Sequence, residues 1–288
     1  MSGQPHPHAS PAGDAHPLRG EPTRIAVAGM GAIGAAVVRA VAHGDVPNSI
    51  ISAVASRDEA KCRRILDGLG CDAMFMPVGR LHEAADIVIE CAPAAIFDSI
   101  VRPTVSAGKR AIVLSVGALL SHFDLVDVAR ASGGQIIVPT GALLGLDAVG
   151  AAAQGTIHSV TMQTRKPIAG LLGAPYLVEN KIEIAGLTEA KRVFVGSARE
   201  AAIGFPANLN VAVALSLAGV GPDLTTLEIW ADPGVTRNTH RIVVDADSAR
   251  LDMTIENIPS ENPKTGRITA LSVISTLKKL HAPLRVGS

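Results

Sequence analysis

The segment Gly29-Met30-Gly31-Ala32-Ile33-Gly34 constrains this chain most, because it fits G-x-G-x-x-G and joins an apolar run, residues 24–28, to a small-residue helical stretch, residues 32–42. In that setting the first glycine permits a tight turn, the second admits a pyrophosphate against backbone N–H groups, and the third lets helix and strand pack closely. The phosphates then lie at the positive end of a helix. A glycine-rich structural turn uses the same residues, so the weight rests on the segments downstream of the loop. Apolar runs at 50–55, 87–91, 111–114 and 136–138 alternate with helical stretches at 59–68, 96–107 and 123–132. That alternation predicts a doubly wound, Rossmann-type parallel sheet with helices on both faces.

Beyond about residue 145 the texture changes. A small-residue helix at 146–154 precedes alternating segments at 159–164, 191–196, 224–230, 240–245 and 250–255, the pattern of a mixed, mostly antiparallel sheet in a second α+β domain. An amphipathic stretch at 268–280 follows a Pro/Asn/Gly-rich loop at 259–266 and is placed to pack back on the first domain. The expected division is a disordered tail over 1–22, a dinucleotide-binding domain over 23–142 with 267–288, and a catalytic and dimerisation domain over 143–266. The tail is rich in Pro, His, Gly and Ala, without hydrophobic period or the apolar core of a secretory signal, and its His6, His8 and His16 read as tail residues rather than metal ligands.

Composition narrows the partners. Basic and acidic residues balance at 26 each and aromatics are 2% of the chain, so neither an electrostatic footprint for nucleic acid nor stacking platforms are present. No apolar run is long enough to span a bilayer. The odd set Cys62, Cys71 and Cys91 lacks metal-ligand or disulfide-framework spacing, which points to reduced thiols in a cytoplasm and to no metal. A small-molecule substrate is the expected partner.

About twenty residues past the glycine loop, NAD-binding chains usually carry an acidic group for the ribose 2′-hydroxyl. Here the residues are Ser56-Arg57-Asp58. Ser56 and Arg57 suit a 2′-phosphate, whereas Asp58 turned inward would serve NAD, so the cofactor is read as NAD or NADP. The segments Cys91-Ala92-Pro93-Ala94 and Ser115-Val116-Gly117-Ala118 end later strands at the edge where ligands lie; Ala92 and Pro93 are read as cofactor neighbours. Thr140-Gly141-Ala142 ends the last parallel strand, with backbone groups directed to an interdomain cleft.

In the second domain, Phe205-Pro206-Ala207-Asn208-Leu209-Asn210 precedes a helix at 211–219. Asn208 is read as its N-cap. Asn210, in the first turn among apolar neighbours, is assigned a polar contact with nicotinamide or substrate. The densest polar cluster is Asp232-Pro233-Gly234-Val235-Thr236-Arg237-Asn238-Thr239-His240. A histidine at a strand start is ordinarily a hydrogen-bonded neighbour, yet here it stands with cations and amides, and it exchanges protons near neutral pH, as oxidation of an amine or alcohol requires. Thr164-Arg165-Lys166-Pro167 ends a strand with two cations that suit substrate carboxylates if they face the cleft; solvation is the default for such a pair.

Taken together, the glycine loop, Thr140-Gly141-Ala142, Phe205 to Asn210 and Arg237-Asn238-Thr239-His240 make the ordered chain resemble the L-aspartate dehydrogenase family. The resemblance implies NAD- or NADP-dependent oxidation of L-aspartate to iminoaspartate, which yields oxaloacetate and ammonia or feeds pyridine nucleotide biosynthesis. It also implies a homodimer, His240 as the catalytic histidine, and Ala142 and Asn210 at the cofactor. Gly29, Gly31, Ala32, Ile33 and Gly34 complete the expected cofactor contacts; Thr140, Arg165, Lys166, Arg237 and Asn238 are the expected substrate contacts, the cations chosen on charge alone. Competing readings are another Rossmann reductase, of the dihydrodipicolinate-reductase or homoserine-dehydrogenase kind, and a non-catalytic NAD(P) sensor. The His-His pair followed by lysine usual in dihydrodipicolinate reductases does not occur here.

Overall fold

In the computed structural model, residues 20–205, 209–259 and 266–287 are described. Most of the expected tail with its three histidines, the expected N-cap Asn208, and most of the 259–266 loop lie outside the described residues.

The first unit runs β1 (Thr23–Ala28), α1 (Ala32–Ala42), β2 (Ser49–Ala55), α2 (Glu59–Gly68), β3 (Met74–Phe75), α3 (Leu81–Ala84), β4 (Ile87–Glu90), α4 (Phe97–Ser106), β5 (Arg110–Val113), α5 (Val116–Leu119), α6 (Leu125–Ser132) and β6 (Gln135–Ile137). All strand pairs in its sheet are parallel, in the order β3-β2-β1-β4-β5-β6. This is the Rossmann order, with the reversal between β1 and β4 marking the crevice for a ligand. The central strands are apolar because helices cover both faces: Ile25, Val27, Ile87, Ile89 and Ile112 are fully buried. β3, two residues long, is too short to leave a periodic signal in the sequence.

The second unit comprises α7 (Leu146–Ala152), β7 (Ile157–Lys166), α8 (Pro175–Glu179), β8 (Lys191–Ser197), α9 (Ala198–Gly204), α10 (Asn210–Ala218), β9 (Thr225–Ala231), β10 (Asn238–Ala246) and β11 (Arg250–Asn257). Its sheet has the order β11-β10-β7-β9-β8, and only the β7–β9 pair is parallel. Alternation sets its two faces. Val160, Met162, Leu227, Ile229, Ile242 and Val244 are buried in one core with residues of α9 and α10. On the other face Trp230 lies beneath Arg165, and Gln163 and Trp230 donate hydrogen bonds to Glu228.

α11 (Arg267–His281) returns to the first unit, where Val273 and Leu277 are buried in the same core as Ile25, Val27 and Val37. At its end, His281 Nε2 is hydrogen-bonded to Thr23 Oγ1 at the start of β1, 3.0 Å away. α11 thus packs against the first sheet and α1. No described helix is long and apolar enough to cross a membrane.

Candidate active site

The glycine loop sits between β1 and α1, where each outer glycine is required by a close approach. Gly29 has φ of +100°, and a Cβ there would lie 2.5 Å from the Cys91 carbonyl oxygen. A Cβ on Gly34 would run into the Gly29 carbonyl. Gly31 differs: a Cβ would meet no protein atom within 4 Å, so the space above the loop is open. Gly31 is also the N-cap of α1, which has no side-chain cap and no acidic residue in its first turn. The N–H groups there lack side-chain acceptors, as an anion-binding helix terminus requires. On these observations the loop fits a dinucleotide pyrophosphate. Gly31, Ala32 and Ile33 border a groove of about 500 Å³ between α1 and α11.

Asp58 does not turn inward. Its carboxylate accepts the Lys61 N–H at 2.9 Å and caps α2, while its own N–H donates to Ser56 Oγ at 3.3 Å. The acidic side chain nearest the end of β2 is therefore occupied by a helix, leaving Ser56 exposed in part and Arg57 exposed.

Beyond the carboxyl ends of β4 and β5 lies a cleft of about 210 Å³ that reaches across to the second sheet. On the first-unit side it is lined by Ile33, Ala92 and Ser115, with Thr140 and Ala142 in the connection between the units. That connection is held from two directions: the Gly141 N–H donates to Ser272 Oγ of α11 at 3.1 Å, and Asn257 Nδ2 donates to the Ala142 carbonyl at 2.9 Å. Asn210 opens α10 and its Oδ1 accepts the Gly117 N–H at 3.0 Å, tying α5 to the second unit.

The second-unit side carries His240, Lys166, Asn238 and Asn257. Strand register explains the group. His240 of β10 stands opposite Thr164 of β7, and Lys166, two residues on, shares the buried face. His240 Nδ1 lies 3.1 Å from Thr164 Oγ1, a bond that leaves Nε2 for the cleft. Burial first, and then the Lys166 charge, lower the His240 pKa to about 3, so the ring is a neutral imidazole. Burial lowers the Lys166 ammonium to about 8. Cys91 also lines the cleft, but burial and the neighbouring Glu90 carboxylate push its thiol far above the ordinary range, which makes it a poor nucleophile.

Several expected contacts lie elsewhere. Arg165 falls on the outer face of β7 because it alternates with Lys166; its guanidinium donates to Asp232 at 2.9 Å and covers Trp230, 4.9 Å from the ring centre. Arg237 is exposed, 3.9 Å from Glu256. Pro93 is exposed and is not among the residues lining the cleft. Asp232 accepts the Gly234 N–H at 2.8 Å and serves its own turn, so the cation that acts on His240 is Lys166 rather than the Asp232–Arg237 cluster. Two residues that shape the cleft escape sequence reasoning. Asn257, buried and with no partner for its Oδ1 among the described residues, closes an alternating strand and looks unremarkable in sequence. Glu90 carries a readable signal, a carboxylate at the end of the otherwise apolar Ile87-Val88-Ile89 run.

Comparison with known proteins agrees with this architecture. Residues 29–139 match the family model described as homoserine dehydrogenase, NAD binding domain, and residues 147–280 match aspartate dehydrogenase, C-terminal. The L-aspartate dehydrogenase of Bradyrhizobium diazoefficiens is 62% identical over 265 residues, covering 92% of this chain and 94% of its own. That of Methanosarcina acetivorans is 38% identical, covering 92% and 99%. The crystal structure of aspartate dehydrogenase from Thermotoga maritima shares the fold with a TM-score of 0.71 at 22% identity, covering 92% and 99%. With relatives this similar along nearly its whole described length, the chain belongs to the L-aspartate dehydrogenase family.

Proposed function

We propose that this chain interconverts L-aspartate with iminoaspartate, and through it oxaloacetate and ammonia, using NAD or NADP, with His240 as the catalytic histidine. The observation that carries the reading is that His240 and Lys166, both buried, share one wall of the cleft facing the loops that end β4 and β5. When bound, the nicotinamide ring supplies the acceptor for the hydride leaving Cα. A proton must leave the substrate nitrogen as the C=N bond forms, and water then adds across that bond to release ammonia.

Lys166 pairs with a substrate carboxylate, and Asn238 and Thr140 offer polar contacts beside it; Arg165 and Arg237 are not part of this set. Without substrate the His240 ring is too weak a base to accept a proton, but carboxylates brought beside it and Lys166 favour the charged forms of both. His240 thus becomes a competent acceptor once substrate is in place, with Thr164 fixing its Nδ1 side. Ala142 and Asn210 hold the nicotinamide end, and Gly29 to Gly34 the pyrophosphate. Ser56 and Arg57 accommodate a 2′-phosphate, which Asp58, spent as a cap, does not oppose. The same reading carries a homodimer, a cytoplasmic setting and a supply of iminoaspartate to pyridine nucleotide biosynthesis.

The test follows nicotinamide absorbance with oxaloacetate, ammonium and either NADH or NADPH, with L-malate, L-glutamate and L-homoserine as oxidative controls. Ammonium-dependent oxidation of the reduced cofactor is expected, and His240→Ala should lower kcat by about 10²–10⁴-fold while cofactor binding persists. A folded protein that binds NADH yet leaves oxaloacetate and ammonium untouched would fit a sensor instead.

A further inference from the structure

Glu90 is the last residue of β4 and has no exposed surface. Its two oxygens accept four hydrogen bonds. Oε1 takes the Ala92 N–H at 3.1 Å and the Ser115 hydroxyl at 2.9 Å; Oε2 takes the Leu114 N–H at 3.1 Å and the Ser115 N–H at 2.8 Å. One carboxylate therefore clasps the turn after β4 to the turn after β5. Those turns supply Cys91, Ala92, Leu114 and Ser115 to the cleft wall.

The arrangement extends further. Ser115 stands at the N-cap of α5 but caps no helical N–H; its hydroxyl is turned to Glu90 instead. Two residues on, the Gly117 N–H donates to Asn210 Oδ1 across the cleft. Hydrogen bonds thus run from Glu90 through Ser115 and the α5 backbone to the first residue of α10. Burial raises the Glu90 pKa above its usual 4.5 despite the four donors, so keeping a charged carboxylate at this position is costly.

We propose that Glu90 is a positioning residue which sets the wall receiving the nicotinamide half of the cofactor and couples that wall to Asn210. The proposal rests on the assignment of this cleft to nicotinamide. Glu90→Gln keeps the size but turns an amide N–H₂ toward the Ala92 N–H or toward the paired N–H groups of Leu114 and Ser115, so one turn loses its acceptor. Ser115→Ala removes only the hydroxyl.

The experiment compares dissociation constants for NADH and for ADP-ribose, which keeps the adenosine, pyrophosphate and second ribose but lacks nicotinamide. The unsubstituted protein should bind NADH more tightly. Glu90→Gln should erase that preference by about 10-fold with ADP-ribose affinity unchanged, and kcat should fall by at least as much, as expected when a reacting ring is misplaced. Ser115→Ala should shift the ratio in the same direction by less, and it decides the matter if Glu90→Gln does not fold. An unchanged ratio and kcat with only a lowered Tm, or equal losses for both ligands, would overturn the positioning role. Equal affinity of the unsubstituted protein for NADH and ADP-ribose would instead remove the nicotinamide assignment itself, and the proposal with it.

Discussion

Lys166 and His240 illustrate how two side chains of ordinary chemistry become specialised by where a strand leaves them. Both would be cations at mildly acidic pH in water; inside the cleft, burial disfavours charge on each and their proximity disfavours charge on both. Lys166 therefore carries the single positive charge, present below about pH 8 and lost above it. In the free protein this predicts that kcat/KM for oxaloacetate, with ammonium saturating, falls as pH rises through that value. Lys166→Met should abolish that limb of the pH profile and raise the KM for oxaloacetate roughly 30-fold or more, the scale of losing one member of a buried charge pair. An unaltered profile in the variant would assign the carboxylate contact to another residue.

Among the elements, the β1–loop–α1 unit separates packing from binding within six residues. Gly34→Ala forces a methyl group into the Gly29 carbonyl and should cost about 3 kcal/mol or more in a denaturant titration. Gly31→Ala adds its methyl to open space, so it should leave stability nearly unchanged while weakening ADP-ribose binding. This unit was legible in sequence because its signal is local: three glycines, an apolar strand before and a helix after. The end of α2 at Gly68 and the start of β8 at Lys191 were legible for the same reason, since periodicity changes abruptly there. Which cations enter the cleft was not. Arg165 and Lys166 are adjacent and equally charged, and only the register of β7 against β10 and β9 decides that one is sealed inside and the other lies over Trp230. Glu90 is readable as a carboxylate ending an apolar strand, but the turns it joins, like the connection that Asn257 holds, come from distant segments that no window of sequence contains.

For the whole molecule, the decisive feature is that the chain leaves the first unit after β6 and comes back with α11. Leu277 is 1% exposed against α1 and the central strands. Leu277→Ala should cost about 2–5 kcal/mol, and hydrogen exchange should locate the loosening in β1 and α1 rather than in β7. Loosening confined to the second sheet would contradict the packing described. Because the helix that seals the first sheet is encoded after the entire second unit, synthesis and assembly run out of step. As the polypeptide emerges from the ribosome, the face of the parallel sheet awaiting α11 stays open to solvent while about half of the chain is still to be made. The mixed sheet, whose strands and helices are contiguous, can close first, and the nucleotide-binding half becomes complete only when residues near position 281 have cleared the exit tunnel.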